Sequence, residues 1–419
     1  MIAEITAGRV RGVARPDGVT AFLGVPYAGA ERFTAPRPVQ PWSGIRDAAA
    51  FGPAAPQQPS RLERVMGAFE IPQDEQCLSL NVWTPANGGG RARPVLVFLH
   101  GGGFTSGSGG LDWYGGAEFA ARGDVVVVTV NYRLGVLGFL RLPGLSPGNL
   151  GLLDQLAALR WVRHHIAAFG GDPANVTVAG QSAGAQSILA LLSRGRARGL
   201  FRRVILQSTP AGMLPASPDD AERTGLVLLD ELGIEPGEAA RLRDAPVGSL
   251  VSALGAVARR TAVPFNPTPP FQLVAEDDLV APDPVAAVGA LAADGVEVLM
   301  GTTRDEAAAF FPGDDRAAET VTGQMFLRPS LHLALLLTEQ GNAPWFYRFD
   351  WHPRSGPFGA CHCIELPFIL GGADAWRDAP MLAGERPRSL VDETRRAWTG
   401  FVRDGDPGWT RGTTRLFTG

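Results

Sequence analysis

Two serines of this chain lie at the centre of a Gly-x-Ser-x-Gly pattern, in which a tight turn can expose a serine hydroxyl as a nucleophile. They are Ser146, in Gly144–Gly148, and Ser182, in Gly180–Gly184. The turn requires a strand before it and a helix directly after it. Ser182 follows an apolar β-branched run and precedes the helix-forming residues 185–192, whereas Ser146 lies in a loop of Pro and Gly. This context predicts that Ser182 is the nucleophile.

A glycine run, Gly101–Gly103, follows His100 and the apolar strand pattern Val95–Leu99. Glycines after a buried strand leave backbone N–H groups uncovered, and such groups stabilise the negative charge that develops during acyl transfer. A phosphate-binding loop is the alternative, but it would need a Gly-Lys-Ser/Thr sequence, and this chain contains no lysine. The run is therefore predicted to form an oxyanion hole.

The general base is expected after the nucleophile, because hydrolases built on such a turn have the chain order nucleophile, acid, histidine. Three histidines follow Ser182, namely His332, His352 and His362. The apolar pattern around His332 is typical of a helix face, and His352 directly precedes a proline after a strand-like run. His362 stands in a loop ahead of a helix-like segment. Order and setting favour His362 as the base.

The acid is expected in the loop after the predicted strand Val296–Met300, because sites in parallel sheets form at the carboxyl ends of strands. Two neighbouring carboxylates, Asp305 and Glu306, occupy that loop. One of them is expected to cap the helix that starts there. The residue pattern alone does not choose between them, and both remain candidates.

The elements that would position these residues alternate along the chain, with apolar runs rich in branched residues between helical patterns. This alternation predicts an α/β fold with a mostly parallel central sheet and helices on both faces. The predicted parallel strands are Val95–Leu99, Val125–Val130, Val176–Ala179, Val204–Leu206 and Val296–Met300. An antiparallel N-terminal flank is predicted from shorter runs among Pro and Gly turns, at Arg9–Val13, Thr20–Gly24 and Leu78–Thr84.

A single catalytic domain over residues 1–419 is the expected organisation, since no fixed-period repeat, low-complexity tract or long linker divides the chain. Helical patterns at about residues 210–295 and 310–342 predict peripheral, lid-like segments. We expect these segments to lie over the sheet and not to form a second domain.

Composition argues against several classes of partner. The formal net charge is −4 with no long charge run, so the chain lacks the basic surface of a nucleic-acid or anionic-membrane binder. Its start lacks a signal-peptide pattern, and no apolar run approaches the ~20 residues of a membrane span. Three cysteines, two of them at Cys361 and Cys363, suit a reducing compartment. A cytoplasmic protein with free thiols is expected.

Seven stretches in chain order carry a resemblance to a known family, and together they cover nearly the whole chain. They are Phe22–Ala28, Glu75–Val82, His100–Phe104, Asn131–Gly135, Asn149–Asp172 reading into Gly180–Gly184, Gly301–Glu306 and Gly359–Phe368. On these residues the chain resembles the type B carboxylesterase and cholinesterase-like family of the α/β-hydrolase superfamily. The resemblance implies an α/β-hydrolase fold and hydrolysis of a small-molecule carboxylic ester.

The resemblance also implies roles for individual residues. The acid would be Glu306, holding His362, which takes the proton of Ser182 so that an acyl-enzyme forms and is hydrolysed by water. The implied oxyanion donors are the backbone N–H groups of Gly102, Gly103 and Ala183. No cofactor is implied, and Cys361-His362-Cys363 cannot enclose a tetrahedral metal ion without further ligands.

The chain departs from the family pattern at several positions. The region where a partner cysteine for Cys77 often lies contains Ala54-Ala55, so no disulfide is expected. Gln181 stands where glutamate is frequent, and Cys363 stands where a small residue is frequent. The span from the acid to the base is shortened, which predicts a reduced helical covering. No tryptophan occurs between residues 56 and 76, so the aromatic site that holds choline in cholinesterases is not expected.

Two other functions are compatible with this sequence. A lactonase, acyltransferase or cyclase could use the same three residues, because an alcohol can replace water in attacking the acyl-enzyme. A catalytically silent binding protein could share the fold. That class usually lacks part of the triad, whereas Ser182, Glu306 and His362 are all present. Ester hydrolysis is the leading interpretation.

Overall fold

The structure is a computed structural model that describes residues 1–86, 90–289 and 295–419. The described residues form fifteen strands, which are β1 (Ile2–Ile5), β2 (Gly8–Arg11), β3 (Val13–Arg15), β4 (Val19–Pro26), β5 (Ile45–Asp47), β6 (Ser79–Pro85), β7 (Arg93–Leu99), β8 (Val126–Val130), β9 (Arg141–Leu142), β10 (Ser146–Pro147), β11 (Gly171–Gln181), β12 (Arg203–Gln207), β13 (Glu297–Thr303), β14 (Trp345–Phe349) and β15 (Thr414–Phe417). Ten of these strands form one sheet, in the order β15-β14-β13-β12-β11-β7-β8-β6-β4-β3.

Seven neighbouring strands of this sheet, from β15 to β8, run parallel. The remaining three, β6, β4 and β3, pair antiparallel at one side. Every residue of β7 and β8 is buried, as expected of strands covered on both faces. The five predicted parallel strands lie in β7, β8, β11, β12 and β13, and the mostly parallel sheet with an antiparallel flank is confirmed.

One predicted flank strand, Arg9–Val13, is wrong as a continuous element. Its first part lies in β2, which pairs with β1 and β5 in a separate three-stranded sheet, and Val13 starts β3 of the large sheet. The chain changes sheets at Gly12, where a Cβ would lie 2.7 Å from Cγ2 of Thr20. A side chain would not fit this close approach, so the glycine ends one strand before the next begins.

Eleven α-helices occur among the described residues. They are α1 (Glu63–Met66), α2 (Ala117–Gly123), α3 (Gly135–Phe139), α4 (Leu150–His165), α5 (Ala183–Ser193), α6 (Pro218–Glu231), α7 (Val247–Arg260), α8 (Pro284–Gly289), α9 (Asp315–Val321), α10 (Arg328–Glu339) and α11 (Arg388–Asp404). Short 3₁₀ helices lie at Asp112–Tyr114, Ile166–Phe169, Pro236–Arg243, Glu306–Ala309, Leu366–Phe368, Asp374–Trp376 and Pro380–Leu382, and a π-helical turn lies at Thr322–Leu327.

The helices cover both faces of the sheet. Alternate residues of β7 divide between two cores, with Val97 in one and Phe98 in the other. The first core includes apolar residues of α4, α5, α6 and α7, and the second includes residues of α2 and α11. The predicted peripheral segments contain α6 to α8 and α9 to α10. Within the described ranges, no helix is long and apolar enough to cross a membrane.

Candidate active site

Ser182 stands at the turn between β11 and α5. Its backbone has φ 55° and ψ −122°, a strained conformation for a residue with a side chain. A Cβ at Gly180 would lie 2.5 Å from the carbonyl carbon of Gly184, and a Cβ at Gly184 would lie 2.1 Å from the oxygen of Leu99. Both flanking positions therefore require glycine, and the strand–turn–helix context predicted for Ser182 is present.

Glu306 and His362 form a hydrogen-bonded pair that is fully buried. Oε2 of Glu306 lies 2.5 Å from Nδ1 of His362, and its Oε1 accepts the backbone N–H of Thr303 at 2.9 Å. The backbone N–H of His362 donates to the carbonyl oxygen of Glu306 at 3.1 Å. The carboxylate therefore fixes the orientation of the ring and favours a proton on Nδ1, which leaves Nε2 able to accept one.

The side chain of Gln181 occupies the other side of the imidazole. Its Nε2 lies 3.2 Å from Nε2 of His362 and donates to Sγ of Cys363 at 3.3 Å. An amide N–H beside Nε2 requires an unprotonated ring nitrogen there, which agrees with a proton on Nδ1. In the described part of the chain, Oγ of Ser182 makes no hydrogen bond to the ring. In the sequence, Gln181 stands out only as a departure from the family pattern, and its contact with His362 was not predicted.

The backbone conformation of Cys363 accounts for the small residue that the family often has at this position. Its φ is 76°, in the left-handed region that favours glycine. Both Cys361 and Cys363 are buried, and burial raises the pKa of each thiol. Among the described residues, no group of three or more His, Cys, Asp or Glu side chains is arranged to hold a metal ion.

The glycine run after β7 lies against the serine turn. A Cβ at Gly101 would lie 3.1 Å from Cβ of Ser182, so the two elements are in contact. Gly102 has φ 111°, and a Cβ there would lie 2.0 Å from the oxygen of Ser106. Within the described ranges, the backbone N–H groups of Gly102, Gly103 and Ala183 have no hydrogen-bond acceptor. Three donors are therefore free beside the nucleophile, as an oxyanion hole requires.

His100 anchors the start of this glycine run. Its ring stacks on Tyr132 with centroids 4.4 Å apart, and its Nδ1–H donates to the oxygen of Gly101 at 2.7 Å. The hydroxyl of Tyr132 donates to the oxygen of His100 at 2.7 Å. Burial lowers the pKa of His100 to about 4, so the ring is neutral near pH 7. A neutral, stacked histidine holds the loop without adding charge to the site.

Asp305, the second candidate acid, holds the histidine loop by other contacts. Its Oδ2 accepts the backbone N–H of Ala360 at 2.8 Å, and its carboxylate pairs with Arg304. Burial opposes ionisation, but these hydrogen bonds outweigh it and place the pKa of Asp305 below its ordinary value. Although Asp305 is the residue before the 3₁₀ helix, its side chain makes no capping bond. Only Glu306 of the two contacts the imidazole.

The other residues weighed from the sequence lie elsewhere. Ser146 is in β10, not in a loop, and its hydroxyl donates to the oxygen of Leu140 at 2.6 Å. His332 is exposed on α10, and His352 is exposed with Nδ1 donating to the oxygen of Pro353 at 2.9 Å. None of these contacts involves the Glu306–His362 pair.

Three side chains around His362 were missed from the sequence. Phe310 and Phe326 lie with ring centroids 5.3 and 5.2 Å from the imidazole and form an apolar wall. Glu365 is fully buried, and its Oε1 accepts from Nε2 of Gln207 at 3.3 Å. Its Oε2 has no partner among the described residues. Burial, and then the charge of Glu306, raise the pKa of Glu365 to about 7. In the sequence, the one signal for Glu365 as a site residue was its position three residues after His362.

Comparison with known proteins gives consistent results. A family model described as the carboxylesterase family matches residues 1–322. A probable N-octanoylanthranilate hydrolase of Rhodococcus erythropolis is 42% identical over 96% of this chain and 92% of that protein. The para-nitrobenzyl esterase of Bacillus subtilis is 37% identical over 96% of this chain and 89% of that protein.

Two of the solved structures that are similar to this chain are also esterases. A thermophilic para-nitrobenzyl esterase has a TM-score of 0.90 and 33% identity over 100% of this chain and 96% of that chain. A carboxylesterase of Geobacillus stearothermophilus has a TM-score of 0.85 and 33% identity over the same shares of the two chains. The predicted α/β-hydrolase fold is confirmed.

The two neighbouring carboxylates make a first test. Glu306→Gln should lower kcat for a para-nitrophenyl ester by about 10⁴-fold, because an amide does not hold the Nδ1–H tautomer or stabilise the imidazolium. Asp305→Asn should cost less than about 10-fold but lower Tm, since Asp305 ties down the loop at Ala360. Steady-state kinetics and thermal unfolding of both variants measure this. Equal losses of kcat would contradict the assignment of the acid.

The raised pKa of Glu365 gives a test by stability. The unfolded chain releases the proton of Glu365 near its ordinary pKa of 4.5, whereas the folded chain keeps it up to about pH 7. The free energy of unfolding therefore falls as pH rises through that window. Glu365→Gln removes this loss. The variant should therefore gain stability relative to the parent between pH 5 and pH 8 in urea denaturation, whereas exposed Glu4→Gln should not. A pH-independent difference for Glu365→Gln would contradict the raised pKa.

Proposed function

Because the chain belongs to the carboxylesterase family and is a serine carboxylic-ester hydrolase, we propose that Ser182, His362 and Glu306 are its catalytic triad. The observation that carries the proposal is the fully buried hydrogen bond of 2.5 Å between Glu306 and His362, on a ring whose Nε2 contacts Gln181, the residue before Ser182. The strained turn at Ser182 supports it, because that backbone conformation is the one that presents a nucleophile.

In the proposed reaction, Nε2 of His362 exchanges its contact with Gln181 for the hydroxyl of Ser182 and takes its proton. Oγ of Ser182 bonds to the ester carbonyl carbon, and the carbonyl oxygen becomes an oxyanion. The free N–H groups of Gly102, Gly103 and Ala183 donate to it.

Collapse of this intermediate breaks the bond to the alcohol, which leaves with the proton from His362. Water then attacks the acyl-enzyme through the same steps, with His362 as base and then as acid. Glu306 stays ionised and stabilises the imidazolium in both halves of the reaction. The products are a carboxylic acid and an alcohol.

Gln181 is proposed to keep Nε2 of His362 in the form that can accept a proton. Its amide N–H favours the unprotonated form of Nε2, whereas a carboxylate at this position would favour the protonated imidazolium. Being neutral, Gln181 also adds no charge beside the oxyanion. Glu306 is then the side chain in hydrogen-bond contact with His362 that supplies negative charge.

We propose small-molecule esters with an aromatic group as substrates. Two relatives have names that refer to anthranilate and to para-nitrobenzyl compounds, both of which contain a benzene ring. In this chain, the rings of Phe310 and Phe326 beside His362 supply a surface on which such a group can pack.

We also propose that the protein works in a reducing compartment, with the cytoplasm as the expected one. Its three cysteines, Cys77, Cys361 and Cys363, are buried and free. Burial raises the pKa of the Cys77 thiol, and a protonated buried thiol is inert.

The nucleophile can be tested by activity and by covalent capture. Ser182→Ala should lower kcat by about 10⁶-fold, because members of such a triad act as a unit. A slowly hydrolysed ester should add its acyl mass to the peptide that contains Ser182, measured by mass spectrometry after a burst of alcohol release. Ser146→Ala is the matched control and should keep both properties. Acylation that persists in Ser182→Ala would refute the proposal.

The state of the cysteines can be tested by thermal unfolding. Addition of a reductant should leave Tm unchanged, because none of the three cysteines is paired. A structural disulfide would contribute about 2–4 kcal/mol, and its reduction would lower Tm by several degrees. A drop of that size on reduction would contradict free thiols.

A further inference from the structure

The guanidinium of Arg61 lies beside the glycine run of the proposed oxyanion hole. Its Nη2 is 3.0 Å from the position that a Cβ on Gly103 would take. Its Nη1 donates to the carbonyl oxygen of Pro267 at 3.0 Å. Within the described ranges, Arg61 has no carboxylate partner. Arg61 is exposed, so a cation that is open to solvent and has no carboxylate partner among the described residues stands next to the reacting centre.

A cavity of about 180 Å³ adjoins this guanidinium. Arg61 is the one charged residue among the described residues that line it. Leu254 and Ala258 of α7 give apolar surface, and Thr105 and Asn266 are polar but uncharged. Arg61 is exposed by its surface area, although desolvation by the surrounding protein lowers its pKa, and the guanidinium remains charged at neutral pH.

From this geometry we propose that Arg61 binds a carboxylate carried by the ester substrate. The proposal rests on the proposed function and adds a substrate class, namely esters that contain a free carboxylate group. A planar guanidinium pairs with a carboxylate through two parallel hydrogen bonds, which also fix the orientation of the bound group. The bound ester would supply the counter-ion that the chain does not.

The lining of the cavity favours an organic carboxylate over a phosphate group. One guanidinium balances one negative charge, whereas a phosphate monoester carries nearly two at neutral pH. The apolar surface of Leu254 and Ala258 suits an aryl or alkyl carboxylate better than a small hydrated anion.

The position of Arg61 limits where the carboxylate lies in the substrate. The N–H of Gly103 is proposed to hold the ester carbonyl oxygen, and the guanidinium is close to the same residue. The carboxylate must therefore lie in a group attached directly to the scissile ester, in either the acyl or the alcohol part. Arg61 also lies between residues 56 and 76, where the sequence contains no tryptophan for a cationic substrate.

The test uses two pairs of esters in which a carboxylate is replaced by the similarly shaped carboxamide. Para-acetoxybenzoate and para-acetoxybenzamide place the group in the alcohol part. The para-nitrophenyl esters of glutarate and glutaramate place it in the acyl part. The measured quantity is the ratio of kcat/KM for carboxylate to that for carboxamide, in the parent protein and in Arg61→Gln.

In at least one pair, Arg61→Gln should lower this ratio by about 10- to 100-fold, the range expected for loss of a hydrogen bond to a charged group. The change should lie mainly in KM. Arg61→Lys should give an intermediate ratio, because it keeps the charge without the planar fork. A ratio that stays constant in both pairs, because carboxylate and carboxamide lose activity equally, would overturn the proposal.

Arg259 of α7 provides a matched control near the cavity. Its Nη1 is 3.7 Å from the position of a Cβ on Gly255, but Arg259 does not line the cavity. Arg259→Gln should change the ratio by less than about 2-fold, since it removes the same charge without a direct contact. A fall equal to that of Arg61→Gln would replace direct binding by general electrostatic attraction. Hydrolysis of the carboxamides that depends on Ser182 tests the proposed function separately.

Discussion

The hydrogen bond between Glu306 and His362 sets the conditions for the rest of the site, because it keeps an ionisable pair away from water. An isolated buried carboxylate would cost several kcal/mol of desolvation. Here the backbone N–H of Thr303 and the imidazole each satisfy one oxygen of Glu306. Two backbone hydrogen bonds, from Asp305 N–H to the oxygen of Ala360 and from His362 N–H to that of Glu306, hold the two loops together. The pair exists only while both loops stay in place.

The sheet order explains how the remaining groups reach this pair. Strands β13, β12, β11 and β7 are successive neighbours, so their carboxyl ends form one edge. Gln207, the last residue of β12, is in register with Gln181 of β11. Its carbonyl oxygen accepts the N–H of Ser182 at 2.9 Å, and its side chain donates to Glu365. The last residue of β12 thus supports both the nucleophile turn and the buried carboxyl of Glu365.

The local residue pattern predicted the large parallel sheet and the role of Ser182 as nucleophile, because the strand, turn and helix signals are contiguous in sequence. It could not choose between Asp305 and Glu306, since both stand in one loop and only the loop of Ala360 and His362 distinguishes them. The strand β15 was missed because it is four residues long and three of them are exposed.

The contacts of Gln181 and Arg61 could not be predicted because they join segments that are far apart in sequence. Each depends on a loop that is distant in sequence, His362 for Gln181 and Pro267 for Arg61. Their electrostatic effects nevertheless form one arrangement. Gln181 and His100 are uncharged at neutral pH, so the negative charge of the proposed reacting centre comes from Glu306 and from the partly ionised Glu365, while Arg61 places a cation beside Gly103. A substrate carboxylate would be attracted at Arg61 and repelled near Glu306, which would orient an ester with its neutral carbonyl toward Ser182.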